Sequence, residues 1–207
     1  FADLGFEDVK VADAPSDIGF HKSKELVAIQ DLSLVGRRAI NALHFIAAEA
    51  PRKDSWDVDL GYFKWLSAFS GSRNDKHLKD ALREAQKAAI VLNIIDAVDS
   101  RKDAVISVPL LSTFVMARGR LSFKLPDEIK HLLQAPTNAQ YLSLRIGGVF
   151  TSAHAYTLYE RLLDVRGAGE SAWLPISEVR EWFKASEKKT LQEYKFLKRD
   201  VLRPAIE

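Results

Sequence analysis

The chain has 207 residues, 47% of them hydrophobic, enough apolar material for one large or two small cores. Thirty Lys and Arg face 28 Asp and Glu, a net charge of +2 that by itself neither demands nor excludes a nucleic acid, so local charge has to decide. The absence of cysteine excludes disulfides and thiolate metal sites; with no apolar run of bilayer-spanning length and an acidic start where a secretory leader would be basic, a cytoplasmic protein is expected.

Residues 1–21 mix acids with isolated apolar residues and read as a tail or docking strand. Ser33 is a good N-cap, and Gly36, Ala39, Ile40, Leu43, Ala47 and Ala50 recur at helical spacing up to Pro51, which predicts a first core helix. Trp56 and Val58 alternate as a strand does, Asp59 can cap a short helix over residues 60–69, and Gly71 closes it. Asn74 or Asp75 then opens a longer helix with Leu78, Leu82, Ala85 and Ala89 inward and Lys76, Lys79, Arg83 and Lys87 on its flanks. Two helices joined by a few turn residues read as a helix-turn-helix.

Three β-rich runs follow at residues 90–95, 104–116 and 120–126, with Ser100 to Asp103 and Gly119 as turns, and a hairpin after such helices makes a winged helix. Residues 106–115 are more apolar than a small hairpin needs, which suggests a buried sheet or a dimer surface. A short helix over residues 127–133 precedes Gln134 to Asn138, a Pro- and Asn-containing stretch that is the candidate domain boundary.

Beyond it the same order returns. Residues 141–146 read as a strand, and Ser152 can cap a helix whose inner face carries Leu158, Leu162 and Val165. Residues 173–176 read as extended, residues 177–184 as a short helix, and a basic helix ends the chain. Trp56 and Trp65 are nine apart, as are Trp173 and Trp182; Ser33 with Ser152, Leu78 with Leu197, and Leu82 with Val201 share an offset of 119. The prediction is an α+β chain of two tandem winged-helix domains, residues 22–135 and 139–207.

No enzyme motif is present. The five histidines (His21, His44, His77, His131 and His154) share no i, i+3 or i, i+4 spacing, and neither a Gly-rich phosphate cradle nor a nucleophile elbow occurs. Gly147-Gly148 reads as a turn, and Asp57 and Asp59 sit where a strand meets a helix cap. Neither metal nor cofactor is expected.

The informative segment is residues 184–203, with seven basic side chains against three acids. At 100° per residue, Tyr194, Leu197, Val201 and Ala205 form a buried stripe with Leu191 and Leu202 at its edge, and Gln192, Lys195, Phe196, Arg199 and Arg203 face outward. Arg pairs bidentately with guanine O6 and N7, Gln with adenine, and a ring edge can touch a thymine methyl, so this face suits a major groove. Lys188, Lys189 and Lys198 would neutralise phosphates. A merely solvated charged face is the alternative reading of the same residues. In the first domain Lys76, Lys79 and Arg83 are offset by Asp75, Asp80 and Glu84, and Glu84 can pair with Lys87, which points to a structural helix with at most phosphate contacts. The four tryptophans read as core anchors.

The segments SAHAYTLYERLLDVRG, LPISEVREWF and YKFLKRDVLRPAIE, which run from Ser152 to Glu207, resemble the second winged helix of the Rep initiator proteins of iteron-containing bacterial plasmids. Residues 197–207 are similar to that family's F-K-R-R-V-L-x-P-A-I-E helix, with Leu197 in place of the usual aromatic. KSKELV from Lys22, SVPLLSTFV from Ser107 and RLSFKLPDEI from Arg120 extend the resemblance to residues 22–207. It implies a second domain that reads the origin repeats on double-stranded DNA, and a first domain that dimerises and adds DNA contacts. Dimers would repress the protein's own promoter and monomers open the origin, with copy control following from that balance and a host helicase and host initiator as partners. It also implies a β-wing beyond the last helix; that pattern reaches Glu207 without a stop signal and no Met begins the chain, so a fragment is expected. A winged-helix transcriptional regulator without a replication role, or a protein-interaction module, would fit the residues alone.

Overall fold

The structure is a computed structural model and describes residues 10–14, 16–27, 29, 32–69, 75–95, 103–136, 138–163 and 173–206. Strand β1 (Gly19–Lys22) and the single turn α1 (Lys24–Val27) lead into α2 (Leu34–Glu49). Ser33 starts α2 as expected: its hydroxyl accepts from Gly36 N at 3.0 Å, satisfying one of the amides that a first turn leaves without a partner. Every residue of α2 from Ala39 to Ala47 is buried, so this helix has no solvent face at its middle and the other elements pack around it.

Next come β2 (Trp56–Asp59), α3 (Leu60–Leu66) and α4 (Lys76–Lys87). Asp59 caps α3 by accepting from Tyr62 N at 2.9 Å, as its position predicts. Gly71, expected to close α3, and Asn74, one of two candidates to open α4, lie outside the described residues; Asp75, the other candidate, is the residue before α4 but makes no side-chain cap. The inner face of α4 is Leu78, Ala81, Leu82 and Ala85. Ala89, expected on that face, is instead exposed and begins β3 (Ala89–Ile95), because the β-branched run after it draws the chain into a strand.

Glu84 is not spent on Lys87. Its two carboxylate oxygens accept from Ser33 N and Ser33 Oγ, each at 2.6 Å, which fastens α4 to the start of α2. Gly36 makes room for this, since a Cβ there would stand 2.5 Å from Glu84 Oε2. Glu84→Ala is expected to cost about 1–3 kcal/mol, seen as a lower urea midpoint at unchanged m-value.

Residues 104–116, expected as one strand, are two: β4 (Asp103–Pro109) and β5 (Thr113–Ala117), separated where Leu110 and Leu111 turn fully inward. β3 and β4 pair antiparallel from Ala89↔Pro109 to Ile95↔Asp103 as a ribbon of their own. The turn expected at Ser100 to Asp103 lies mostly outside the described residues, Asp103 being the first residue of β4. β5 turns through Arg118 and Gly119 into β6 (Arg120–Lys124), and φ values of 51° and 74° at these two residues are those of the hairpin turn that matches strand twist. β6 also pairs with β2, giving the order β2-β6-β5. Trp56 stacks on Phe123 across this sheet at 5.2 Å between centroids.

The chain continues through α5 (Asp127–Gln134), β7 (Gln140–Ser143), α6 (Leu144–Val149) and α7 (Ala153–Leu162). Residues 144–146, expected as strand, are the first turn of α6, because Ser143 Oγ accepts from Ile146 N at 3.1 Å and ends the strand as a helix cap. Gly147 and Gly148, expected as a turn, lie inside α6, and a Cβ at Gly147 would stand 2.4 Å from the Tyr156 hydroxyl. β7 pairs antiparallel with β1, so the end of the expected tail docks as a strand. One buried cluster runs from Val11 to Leu163 and takes in Leu133, Leu142 and Tyr156, residues on both sides of the 134–138 stretch.

Ser152 caps α7 by accepting from His154 N and Ala155 N, as expected. The inner face of α7 differs from expectation: Tyr156, Thr157 and Glu160 are buried, Leu158 and Leu162 are half-buried, and Val165 lies outside the described residues. The reason is a polar knot that the sequence alone does not reveal. Glu160 accepts from Lys22 Nζ at 2.8 Å, Asn41 Nδ2 at 2.7 Å and Arg37 Nη1, while Asn41 Nδ2 also donates to the Tyr156 hydroxyl at 2.9 Å. Burial alone pushes the Glu160 carboxyl up; the Lys22 and Arg37 charges and the donated bonds more than reverse this and hold it at about 2. Burial also pushes the Lys22 ammonium down, against the pull of Glu160.

Candidate nucleic-acid interface

After α7 the described chain resumes at Trp173 and enters α8 (Ile176–Trp182) one residue earlier than predicted. Trp173 is fully exposed, which corrects its reading as a core anchor; Trp56 and Trp65 are buried, and Trp182 is half-buried beneath the Arg161 guanidinium. Lys184 adopts a left-handed φ of 48°, and two short 3-10 turns, Ala185–Glu187 and Lys189–Gln192, lead to the last helix.

That helix begins at Tyr194, later than expected. It runs as α9 (Tyr194–Leu197), a π turn over Lys198–Leu202, and α10 (Arg203–Ile206). The π turn has a local cause: Pro204 has no N–H to give to the Asp200 carbonyl and its ring crowds that carbonyl, so Arg203 N bonds to Lys198 O instead. Leu197, Val201 and Ala205 are buried as their spacing predicts, and α10 packs against α7. Leu197, Val201, Leu191 and Ala185 make a small core of their own.

Two apolar expectations fail here. Tyr194 is 55% exposed rather than part of the stripe, because Leu191 from the preceding turn takes the inner place. Phe196 does not face fully outward; it is half-buried against that small core, with Lys195 Nζ and Arg199 Cζ at 5.8 and 5.1 Å from its ring centroid. Gln192 precedes the helix instead of lying on its outer face. It remains exposed, but its side-chain amide donates to Ser186 O at 3.3 Å, and its own carbonyl accepts from Arg180 Nη2 at 2.7 Å.

What the helix does present is cationic. Lys195, Lys198, Arg199 and Arg203 are exposed along it, and Lys188 and Lys189 are exposed on the turns that lead into it. Arg199 makes a two-pronged pair with its neighbour, Nε to Asp200 Oδ1 at 2.5 Å and Nη2 to Oδ2 at 2.9 Å. Sequence reasoning missed Asp200 and the exposed Tyr194; the adjacency of Arg199 and Asp200 was the one available signal. The α4 cations Lys76, Lys79 and Arg83 are exposed too, with Arg83 Nη1 reaching Asp80 Oδ1 at 3.2 Å. Nearby, His154 meets Phe183 edge-on at 5.5 Å, and burial, helped by Lys188, lowers its pKa.

Of the positions matched by the internal offset, Ser33 and Ser152 both cap helices and Leu78, Leu82, Leu197 and Val201 are all buried, whereas Trp56 and Trp65 are buried and Trp173 is exposed. A family model described as Initiator Replication protein, WH1 matches residues 20–163. The chain belongs to this family. No curated protein matches it. Among solved structures, the crystal structure of Pi initiator protein in complex with iteron DNA is similar, with a TM-score of 0.67 at 14% identity over 93% of this chain and 86% of that one. The fold of this initiator is therefore α+β winged helix, and at that coverage the likeness extends past residue 163. Among the described residues no helix is long and apolar enough to cross a membrane.

Proposed function

We propose that this initiator binds iteron DNA as a duplex through the cationic face of its last helix and starts plasmid replication from that complex. The observation that carries the reading is a row of exposed cations, Lys195, Lys198, Arg199 and Arg203, held on a helix whose other side is seated on Leu197 and Val201. Family membership and the likeness to an initiator crystallised on iteron DNA support it. Arg199 and Arg203 reach guanine edges in the major groove; Lys188, Lys189, Lys195 and Lys198 take phosphates, and Lys76, Lys79 and Arg83 add backbone contacts from α4. The work is binding rather than catalysis, and it is done in the bacterial cytoplasm.

Residues 22–135 serve as the dimerising unit and residues 139–207 as the reading unit. The exposed Val91 and Val105 on the β3–β4 ribbon are consistent with a homodimer through the first unit. Such a dimer represses its own promoter and sets copy number, while host helicase and host initiator join at the origin.

Fluorescence anisotropy on an origin-repeat duplex tests the reading. Log affinity should fall against log salt with a slope of about −0.9 per phosphate neutralised, so four to seven contacts give about −4 to −6. A flat salt profile with no preference for origin over random duplex would overturn it. Origin-dependent plasmid maintenance separates an initiator from a plain repressor.

A further inference from the structure

We infer that Asp200 is a positioning residue: it turns Arg199 away from phosphates and presents the end of its guanidinium to a guanine edge, which rests on the duplex-binding reading above. On a regular α-helix successive side chains splay by about 100° and do not meet. Arg199 and Asp200 meet because both lie in the π turn Lys198–Leu202, where the wider turn reduces that splay. The contact is two-pronged, at 2.5 and 2.9 Å, and the Phe196 ring underlies the guanidinium at 5.1 Å. Backbone, ring and carboxylate together hold a side chain that would otherwise sample many rotamers.

The hydrogen inventory gives the pair its use. A guanidinium has five N–H groups, and Asp200 engages the Nε edge and one Nη2 hydrogen. The end formed by Nη1 and the second Nη2 hydrogen is the one that spans guanine O6 and N7. Asp200 therefore leaves the base-reading end available, while its negative charge repels the phosphate that an unrestrained arginine would take. The Arg199 guanidinium keeps the Asp200 carboxyl below its ordinary range, so the pair is charged under any ordinary assay condition. As an exposed pair it adds little to stability, and its removal should leave the fold intact.

The test compares wild type, Asp200→Asn and Arg199→Ala, each as the full chain, by anisotropy on three probes. These are the origin repeat, random duplex of equal length, and repeats in which one guanine at a time is replaced by 7-deazaguanine. Asp200→Asn is expected to melt with wild type, to bind random duplex at least as tightly, and to lose about tenfold in origin-over-random discrimination. Wild type should be sensitive to 7-deazaguanine at the positions that Arg199 and Arg203 read, and both variants should lose the sensitivity at one of them while keeping it at the other. If Asp200→Asn keeps the wild-type discrimination and 7-deazaguanine profile, the inference falls while duplex binding stands. If wild type itself binds neither duplex in a salt-dependent way, the duplex reading falls and takes the inference with it.

Discussion

Glu160→Ala is expected to lower the stability of the chain by about 3–5 kcal/mol, the usual cost of removing one partner from a buried ion pair. Glu160, Lys22 and Arg37 are all buried, and the carboxylate is the shared acceptor of both cations and of Asn41. Its loss strands two buried positive charges and leaves Asn41 short of an acceptor, a combination that water cannot repair. The knot joins β1, α2 and α7, and α7 in turn carries α10, so loosening it should also disturb the seat of the basic helix. Urea denaturation of wild type and variant measures the difference; a loss under about 1 kcal/mol would mean the knot contributes little.

The same group sets an acid limit. The folded value of about 2 lies below the ordinary 4.5, so the contribution of Glu160 is full above 4.5 and fades as pH falls from there toward 2. The wild-type urea midpoint should drop over that window, and the Glu160→Ala midpoint should drop less.

The second large effect concerns binding. Lys195→Ala, Lys198→Ala, Arg199→Ala and Arg203→Ala combined should weaken origin binding by about 10²–10⁴-fold, from two arginine–base contacts at about 1–3 kcal/mol each. Two lost phosphate contacts should also reduce the salt slope by about 2. All four side chains are exposed, so the melting temperature should stay close to wild type while affinity collapses. Less than a tenfold loss at unchanged fold would move the interface elsewhere, with the α4 cations Lys76, Lys79 and Arg83 the next to examine.

Much of this molecule can be read locally. Ser33, Asp59 and Ser152 were identifiable as caps because a cap is one side chain bonding an amide two or three residues away. Gly119 was identifiable as a turn, since φ of 74° is open to glycine at no steric cost. The buried stripe Leu197, Val201 and Ala205 follows from helical period, and the exposed cations follow from it in turn.

Where the reading failed, distant residues had intervened. Helical period alone puts Phe196 outward, but the small core it is half-buried against includes Leu191 and Ala185, which come from turns that lie before the helix. Gly147 and Gly148 look like a turn until Tyr156 and Val11 are brought against them, when a helix without a Cβ at those two positions becomes the arrangement that fits.

The amino-acid order by itself determined the caps, the hairpin turn and the cationic helix, because each depends on interactions within about one helical turn. Only the tertiary structure decided that Glu160 would be buried with Lys22 and Arg37, 138 and 123 residues away, and that β1 would pair with β7. The physical reason is that desolvating a charge is tolerable only once its partners are delivered, and no local pattern states which distant side chains the folded chain will bring.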